Sequence, residues 1–303
     1  MTDQHKRYDI ATVGNYTKDT IINAAGTMHA DGGGFNYAAR AAASLGCDVA
    51  AITRLAPEDS HVLDVLRENG ITVFATETPD STLMRLEYPT DNPDERILKT
   101  ASTAGTYTPE EVRAVDAKAF VISPSIRGEV PFEVFEELRR KDTTIGADIQ
   151  GFIRIIGPDT RLLHTEWPER HQFLALVDVL KADIIEAESL TGEADLRSAA
   201  RAMAAFGPRE IVLTHRNGVL IHADGEFYEA EFHPVELVGR SGRGDTCLGS
   251  YMAARLKYPP AEAIRWSAAV TSLKMEANGP IRRDYQEIVD LVERKYNGTR
   301  VKI

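Results

Sequence analysis

Short apolar runs alternate with amphipathic stretches along most of this chain, and that alternation limits its fold more than any other feature. YDIATVG (8–14) and VAAIT (49–53) are short apolar runs. SHVLDVLRENG follows, with Val62, Val65 and Leu66 at helical spacing and Gly70 placed as a stop. AFVIS (119–123) precedes PFEVFEELRRK, and TIGADI (144–149) is followed after a loop by HQFLALVDVLK, which reads as a helix. DIIEA (183–187), read as a strand, precedes the helical DLRSAARAMAAFG, and EIVLTH (210–215) comes next. Strands alternating with helices make βαβ units. The predicted fold is therefore α/β, a doubly wound and mostly parallel sheet flanked by helices on both faces.

Two regions depart from the alternation. RNGVLIHADGEFYEAEF (216–232) carries Asn217-Gly218 and Asp224-Gly225 between β-type runs, a signal for antiparallel hairpins. Residues 71–102 read as three strands with polar turns and no helix. They predict a small β-strand lid, contributed by about 16–34 and 71–104, on a single domain covering 1–303. A chain of 303 residues, 43% hydrophobic, buries roughly 75% of its unfolded surface.

A formal charge of −11 argues against binding nucleic acid or an anionic membrane and favours a small-molecule partner. MTDQHKRYD is too polar for a secretory signal, and no stretch nears the roughly 20 apolar residues of a membrane span. Cys47 and Cys247 have neither disulfide-framework nor zinc-ligand spacing. They read as buried thiols, and a cytoplasmic location is expected.

GRSGRGDTCLGSYMAARL (239–256) sets glycines 239, 242 and 244 before Asp245 and a helical run with Leu248, Tyr251, Met252 and Leu256. A helix N-terminus presents unpaired N–H groups and about half a positive charge, so this loop is suited to an anion. Asp245 beside it reads either as an N-cap or as a base taking a proton from a hydroxyl that attacks a bound phosphate. Arg243-Gly244-Asp245 is no adhesion tip, because it runs straight into an apolar helix. ADGGGFNYAARAAASLG (30–46) lacks the Gly-x-Gly-x-x-Gly dinucleotide fingerprint, which argues against a nicotinamide enzyme.

GRSGRGD followed by a small-residue helix resembles the Asp-Thr-x-Gly-Ala-Gly-Asp signature of the ribokinase-like (PfkB) carbohydrate kinases, with Gly239 for the leading aspartate and Arg243 for the alanine. The resemblance implies that Gly242, Arg243 and Gly244 form the anion hole and that Asp245 is the catalytic base. Residues 30–46 are similar to the family's Gly-Gly-x-x-x-Asn-x-Ala signature, with Asp31 for its first glycine. This implies Gly33 and Asn36 as substrate contacts. Asp19, in VGNYTKDTII (13–22), matches the family's hydroxyl-binding aspartate, and Gly-Asn-Tyr-x-x-Asp is similar to its myo-inositol kinases.

DIIEAESLTG (183–192) resembles the Asn-x-x-Glu motif, which implies Glu186, with Asp183, near Mg²⁺ through water. IVLTHRNG (211–218) resembles the Thr-x-Gly-x-x-Gly nucleotide strand, implying Thr214 and Gly218 as ATP contacts. His215 is assigned nothing, and Arg216 faces phosphate or solvent. AVTSLKMEANGP (269–280) lies where the family encloses adenine, implying Asn278 and Gly279. DIQGFIR (148–154) is similar to a further strand end and marks Asp148 and Arg154 as site or fold elements.

Taken over nearly the whole chain, the resemblance implies an ATP-dependent phosphotransferase acting on a hydroxyl of a sugar, polyol or cyclitol, myo-inositol or a sugar acid included. A homodimer through the lid is also implied. The alternatives are a nucleoside or vitamin kinase of the same family and a non-catalytic sugar-sensing protein.

Overall fold

The computed structural model describes residues 6–24, 26–90 and 97–296. The chain starts with β1 (Arg7–Val13), β2 (Thr17–Asn23), β3 (Gly26–Gly32) and helix α1 (Gly34–Ser44). Next come β4 (Val49–Leu55), α2 (His61–Glu68), β5 (Thr72–Glu77), β6 (Thr82–Glu87), β7 (Ile97–Thr100) and α3 (Pro109–Arg113). β8 (Asp116–Ile122), α4 (Phe132–Arg139), β9 (Thr144–Asp148), α5 (Gln150–Ile153), β10 (Arg154–Ile156) and β11 (Leu162–His164) lead to α6 (Arg170–Leu174). After β12 (Val179–Asp183) come α7 (Ile184–Thr191), α8 (Leu196–Ala204), β13 (Glu210–His215), β14 (Gly218–Ala223) and β15 (Glu226–Glu231). Three helices close the chain: α9 (Arg243–Arg255), α10 (Pro260–Met275) and α11 (Tyr285–Leu291).

Nine strands form one sheet in the order β15-β14-β13-β12-β9-β8-β1-β4-β5. All neighbours from β13 to β5 are parallel, while β13-β14-β15 is the antiparallel meander expected from its two Asx-Gly turns. One face packs against α1, α2, α9, α10 and α11 through residues such as Phe35, Leu66, Leu248 and Ile264. The other packs against α3 to α8 through residues such as Val134, Phe135, Phe173 and Met203. Each such side chain contributes about 1.5–3 kcal/mol on burial. Among the described residues no helix is long and apolar enough to cross a membrane.

A second, four-stranded sheet runs β3-β2-β6-β7, with β2 and β6 parallel. It corrects the predicted lid at one place. β5, the first strand of 71–104, pairs parallel to β4 in the main sheet. A β4-α2-β5 unit returns to the sheet it left, as right-handed crossovers do, and Phe74 reaches the Tyr8 ring edge-on at 6.1 Å. Residues 91–96 of that span lie outside the described residues.

The predicted helix HQFLALVDVLK and strand DIIEA are also corrected. The helix ends at Leu174, the strand is Val179–Asp183, and Ile184 already begins α7. Val179, Leu180 and Ala182 are buried with both sheet faces covered, so their apolar run carries no period from which type could be read. Asp183 ends the strand and starts the helix in a capping box. Its carboxylate accepts from the Glu186 N–H at 2.8 Å, and Glu186 Oε2 accepts from the Asp183 N–H at 2.7 Å.

Candidate active site

Small residues bring two helix N-termini together. A Cβ at Gly249 would lie 2.6 Å from both the Cα and the carbonyl oxygen of Ala38, so α1 and α9 cross backbone to backbone. The N-cap of α9 is Gly242, at φ 74°, a left-handed conformation that glycine adopts without cost. A side chain there would run into the Tyr37 ring. Asp245 is thus the third residue of the helix, in its first turn. Of the two readings of Asp245, the N-cap is excluded.

The Asp245 carboxylate instead faces the start of α1, where a Cβ at Gly34 would lie 2.4 Å from its Oδ1. On its other side stands a buried ion cluster. Lys181, from β12, meets Asp148 at 2.9 Å and Glu186 at 3.4 Å, and all three side chains are at most 5% exposed. A Cβ at Gly244 would lie 2.6 Å from the Lys181 ammonium, which places that cation directly under the glycine loop. Burial raises the Asp245 pKa above the ordinary carboxylate value and Glu186 adds to the rise, while Lys181 opposes it. Burial pulls Lys181 down, but Asp148 and Glu186 outweigh it and hold the ammonium well above its usual value.

Asp19 approaches from β2 of the smaller sheet. It is 8% exposed, and its Oδ1 has no hydrogen-bond partner. Burial pushes it up to about 7, with the charges of Asp245 and Asp31 adding to the shift against a bond from Thr17. A Cβ at Gly32 would lie 2.5 Å from Asp19 Oδ2, and buried Asn36 points its amide at the Asp31 carbonyl at 3.4 Å. Asp31 itself accepts from the Tyr16 hydroxyl at 2.6 Å and meets His61 at 3.0 Å, which ties the β3 strand to the β1–β2 connection and α2. Gly33, the N-cap of α1, packs against the Asn15 carbonyl.

Thr214 is buried beside Asp183 in the strand register, so Asp148, Asp183 and Thr214 gather at the carboxyl ends of parallel strands, where doubly wound sheets bind ligands. Gly218 lies in β14, where a Cβ would stand 2.3 Å from the Ala230 carbonyl, so its neighbouring strand requires the glycine. Asn278 and Gly279 line a cavity of about 730 Å³ shared with Asp31, Asn36 and Arg40. Gly239 explains how the loop is anchored without the signature aspartate. Its N–H donates to the Met275 carbonyl at 3.0 Å and its carbonyl accepts from Lys274 at 3.0 Å. Buried Arg154 stands close enough to Asp245 for its charge to lower that carboxyl slightly.

Lys181 and Lys274 are absent from the sequence reading. Both had a signal: a lysine inside an otherwise apolar buried run is rare unless paired or functional.

The chain matches the family model for pfkB family carbohydrate kinases over residues 7–286. A solved pyrophosphate-dependent kinase in the ribokinase family, complexed with a pyrophosphate analog and myo-inositol, is 33% identical with a TM-score of 0.85, covering 93% of this chain and 99% of that one. A cytidine kinase of Thermococcus kodakarensis (strain ATCC BAA-918 / JCM 12380 / KOD1) is 28% identical over 273 residues, 84% of this chain and 91% of that protein. Ribokinase from Arabidopsis thaliana, complexed with ribose and ATP, has a TM-score of 0.74 at 17% identity, covers 95% of this chain and 99% of that one, and shares the fold. With the profile running through both glycine loops, the smaller sheet and the Asp183–Glu186 turn, the chain belongs to the pfkB family of carbohydrate kinases.

Proposed function

We propose that this kinase transfers a phosphoryl group from inorganic pyrophosphate to a hydroxyl of a cyclitol or polyol of the myo-inositol type. The carrying observation is Asp245, in the first turn of α9, with a raised pKa and Lys181 beneath its loop. In this reading Asp19, Gly33 and Asn36 orient the acceptor, and the unpartnered Asp19 Oδ1 accepts one of its hydroxyls. Asp245 takes the proton of the attacking hydroxyl. The N–H groups of Gly242–Asp245 meet the transferred phosphate, whose developing charge they stabilise. Pyrophosphate as donor is supported by the relative that binds its analog and by charge. Arg243 and Arg216 stand where the family signatures carry small residues, and a compact polyanion needs cations rather than an adenosine pocket.

Asp183 and Glu186 are the residues that would hold Mg²⁺. Among the described residues no group of three or more His, Cys, Asp or Glu is placed to hold a metal directly. Glu186 has one oxygen committed to the capping box and one beyond it, which fits an ion held through its waters. Such an ion supplies charge neutralisation on the phosphates.

ATP is the second reading for the donor, favoured by exposed Asn278 beside the phosphate loop and half-buried Gly279 next to it, with Thr214 and Gly218 as the further contacts implied. A nucleoside is the second reading for the acceptor, favoured by the cytidine kinase relative. A dimer through the lid has support in the outer edge of β3, which is unpaired among the described residues. The test crosses pyrophosphate and ATP with myo-inositol, hexoses, sugar acids and cytidine in a phosphate-transfer assay. The expected result is one productive pair, pyrophosphate with a cyclitol. Turnover with ATP alone would overturn the donor, and ligand binding without any transfer would leave a sensing protein.

A further inference from the structure

Lys274, on α10, is 1% exposed. Its ammonium carries three donors, and the contacts it makes are a 3.0 Å bond to the Gly239 carbonyl and a position 5.4 Å from the centroid of the Tyr37 ring. Among the described residues no carboxylate stands within ion-pair distance of it. The charged groups facing it both come from α9: Asp245, which favours its protonated form, and Arg243, which disfavours it. Asp245 is already drawn to Lys181 on its far side. Burial therefore dominates and brings the lysine down to about 8.

A buried cation without a counter-ion is costly to the folded state, and a protein keeps one where a ligand brings the missing charge. The carbonyl that Lys274 grips is the first residue of the glycine loop, and the ring it overlies is the one against which Gly242 packs. Its ammonium thus bonds one end of the Gly239–Gly242 turn that leads into α9 and lies over the ring that packs against the other. We propose that Lys274 and the first turn of α9 form a binding site for a phosphoanhydride phosphate of the donor, with Lys274 supplying the buried charge. The site takes the donor through its phosphates and makes no demand on a nucleoside. This rests on reading Gly242–Asp245 as the phosphate loop.

A lysine kept only to hold Gly239 would behave differently, and Lys274→Gln separates the two cases because its amide keeps a donor for the Gly239 carbonyl while the charge is gone. Calorimetry with methylenediphosphonate, a non-hydrolysable pyrophosphate analogue, is run on the full chain beside ADP and myo-inositol. Lys274→Gln is expected to weaken the diphosphonate at least fivefold, leave the acceptor affinity within twofold, and melt no lower than wild type without ligand. Lys274→Arg is expected to restore binding. A folded Lys274→Gln protein that binds the anions as wild type does, or that melts lower with unchanged anion affinity, overturns the site. Were wild type to bind ADP alone, with that affinity lost in Lys274→Gln, the phosphate site would stand and pyrophosphate as donor would fall.

Discussion

Two buried lysines flank the first turn of α9, and their surroundings are opposite. Lys181 lies between Asp148 and Glu186 and is held in its charged form; Lys274 meets a carbonyl and a ring and is pulled toward neutrality. The first belongs to a buried ion cluster that supplies its own counter-charges. The second is an open charge. Buried ion pairs seldom add much stability, yet removing one partner strands the other, so the two positions should answer mutation with opposite signs.

The largest effect concerns the group between them. Asp245→Asn should lower turnover by about 10²–10⁴-fold, the range of a lost general base, while donor affinity measured by calorimetry stays within a few-fold. Near-normal turnover would remove Asp245 from the chemistry. Lys181→Met comes next. It leaves Asp148 and Glu186 buried without a cation and should cost about 3–5 kcal/mol in urea unfolding, against no loss in Lys274→Gln. The same variant sharpens the comparison through pH. Lys181 opposes the rise of the Asp245 pKa, so its removal should move the acid limb of kcat/KM to higher pH, and an unmoved limb would detach the cluster from the base.

Asp19→Asn tests the unpaired carboxylate of the smaller sheet. A carboxyl raised to about 7 from 3.8 is best accommodated protonated, so it favours the fold below about pH 4 and progressively less as pH rises through 7. Above that, Asp19→Asn should make the ligand-free protein more stable by up to roughly 4 kcal/mol while weakening the acceptor. Equal pH dependence of melting in both proteins would mean that the carboxylate is not buried as described. Arg243→Ala is the smallest. It should raise the KM for donor a few-fold and leave stability alone; unchanged kinetics would show that Arg243 does not clamp phosphate.

The fold could be read from the chain wherever a strand was followed by a helix with a polar face, as at VAAIT and HVLDVLRE. It failed where burial was complete, since Val179, Leu180 and Ala182 are buried with both sheet faces covered and show no period, and where a strand's sheet had to be chosen, as for β5. At the candidate site, the glycine stretches around Asn36 and Asp245 and the position of Asp19 after the first strand drew attention through their resemblance to family signatures, and the fold brings these residues near one another. Lys181 and Lys274 went unseen because long-range neighbours, Asp148 for one and Gly239 for the other, define what they do. The missing aspartate at 239 had a cause that only the folded loop revealed: backbone bonds to Met275 and Lys274 anchor it.

Asp19 rides on β2 of the smaller sheet, whereas Asp245 belongs to a helix packed on the larger one, and each carboxylate disfavours charge on the other. In the empty cleft that mutual disfavour adds to the burial that keeps Asp19 protonated. An acceptor whose hydroxyls donate to both would relax it. On the proposed reading, acceptor binding and the charge state of Asp19 are therefore coupled, so acceptor affinity should change as pH passes through about 7.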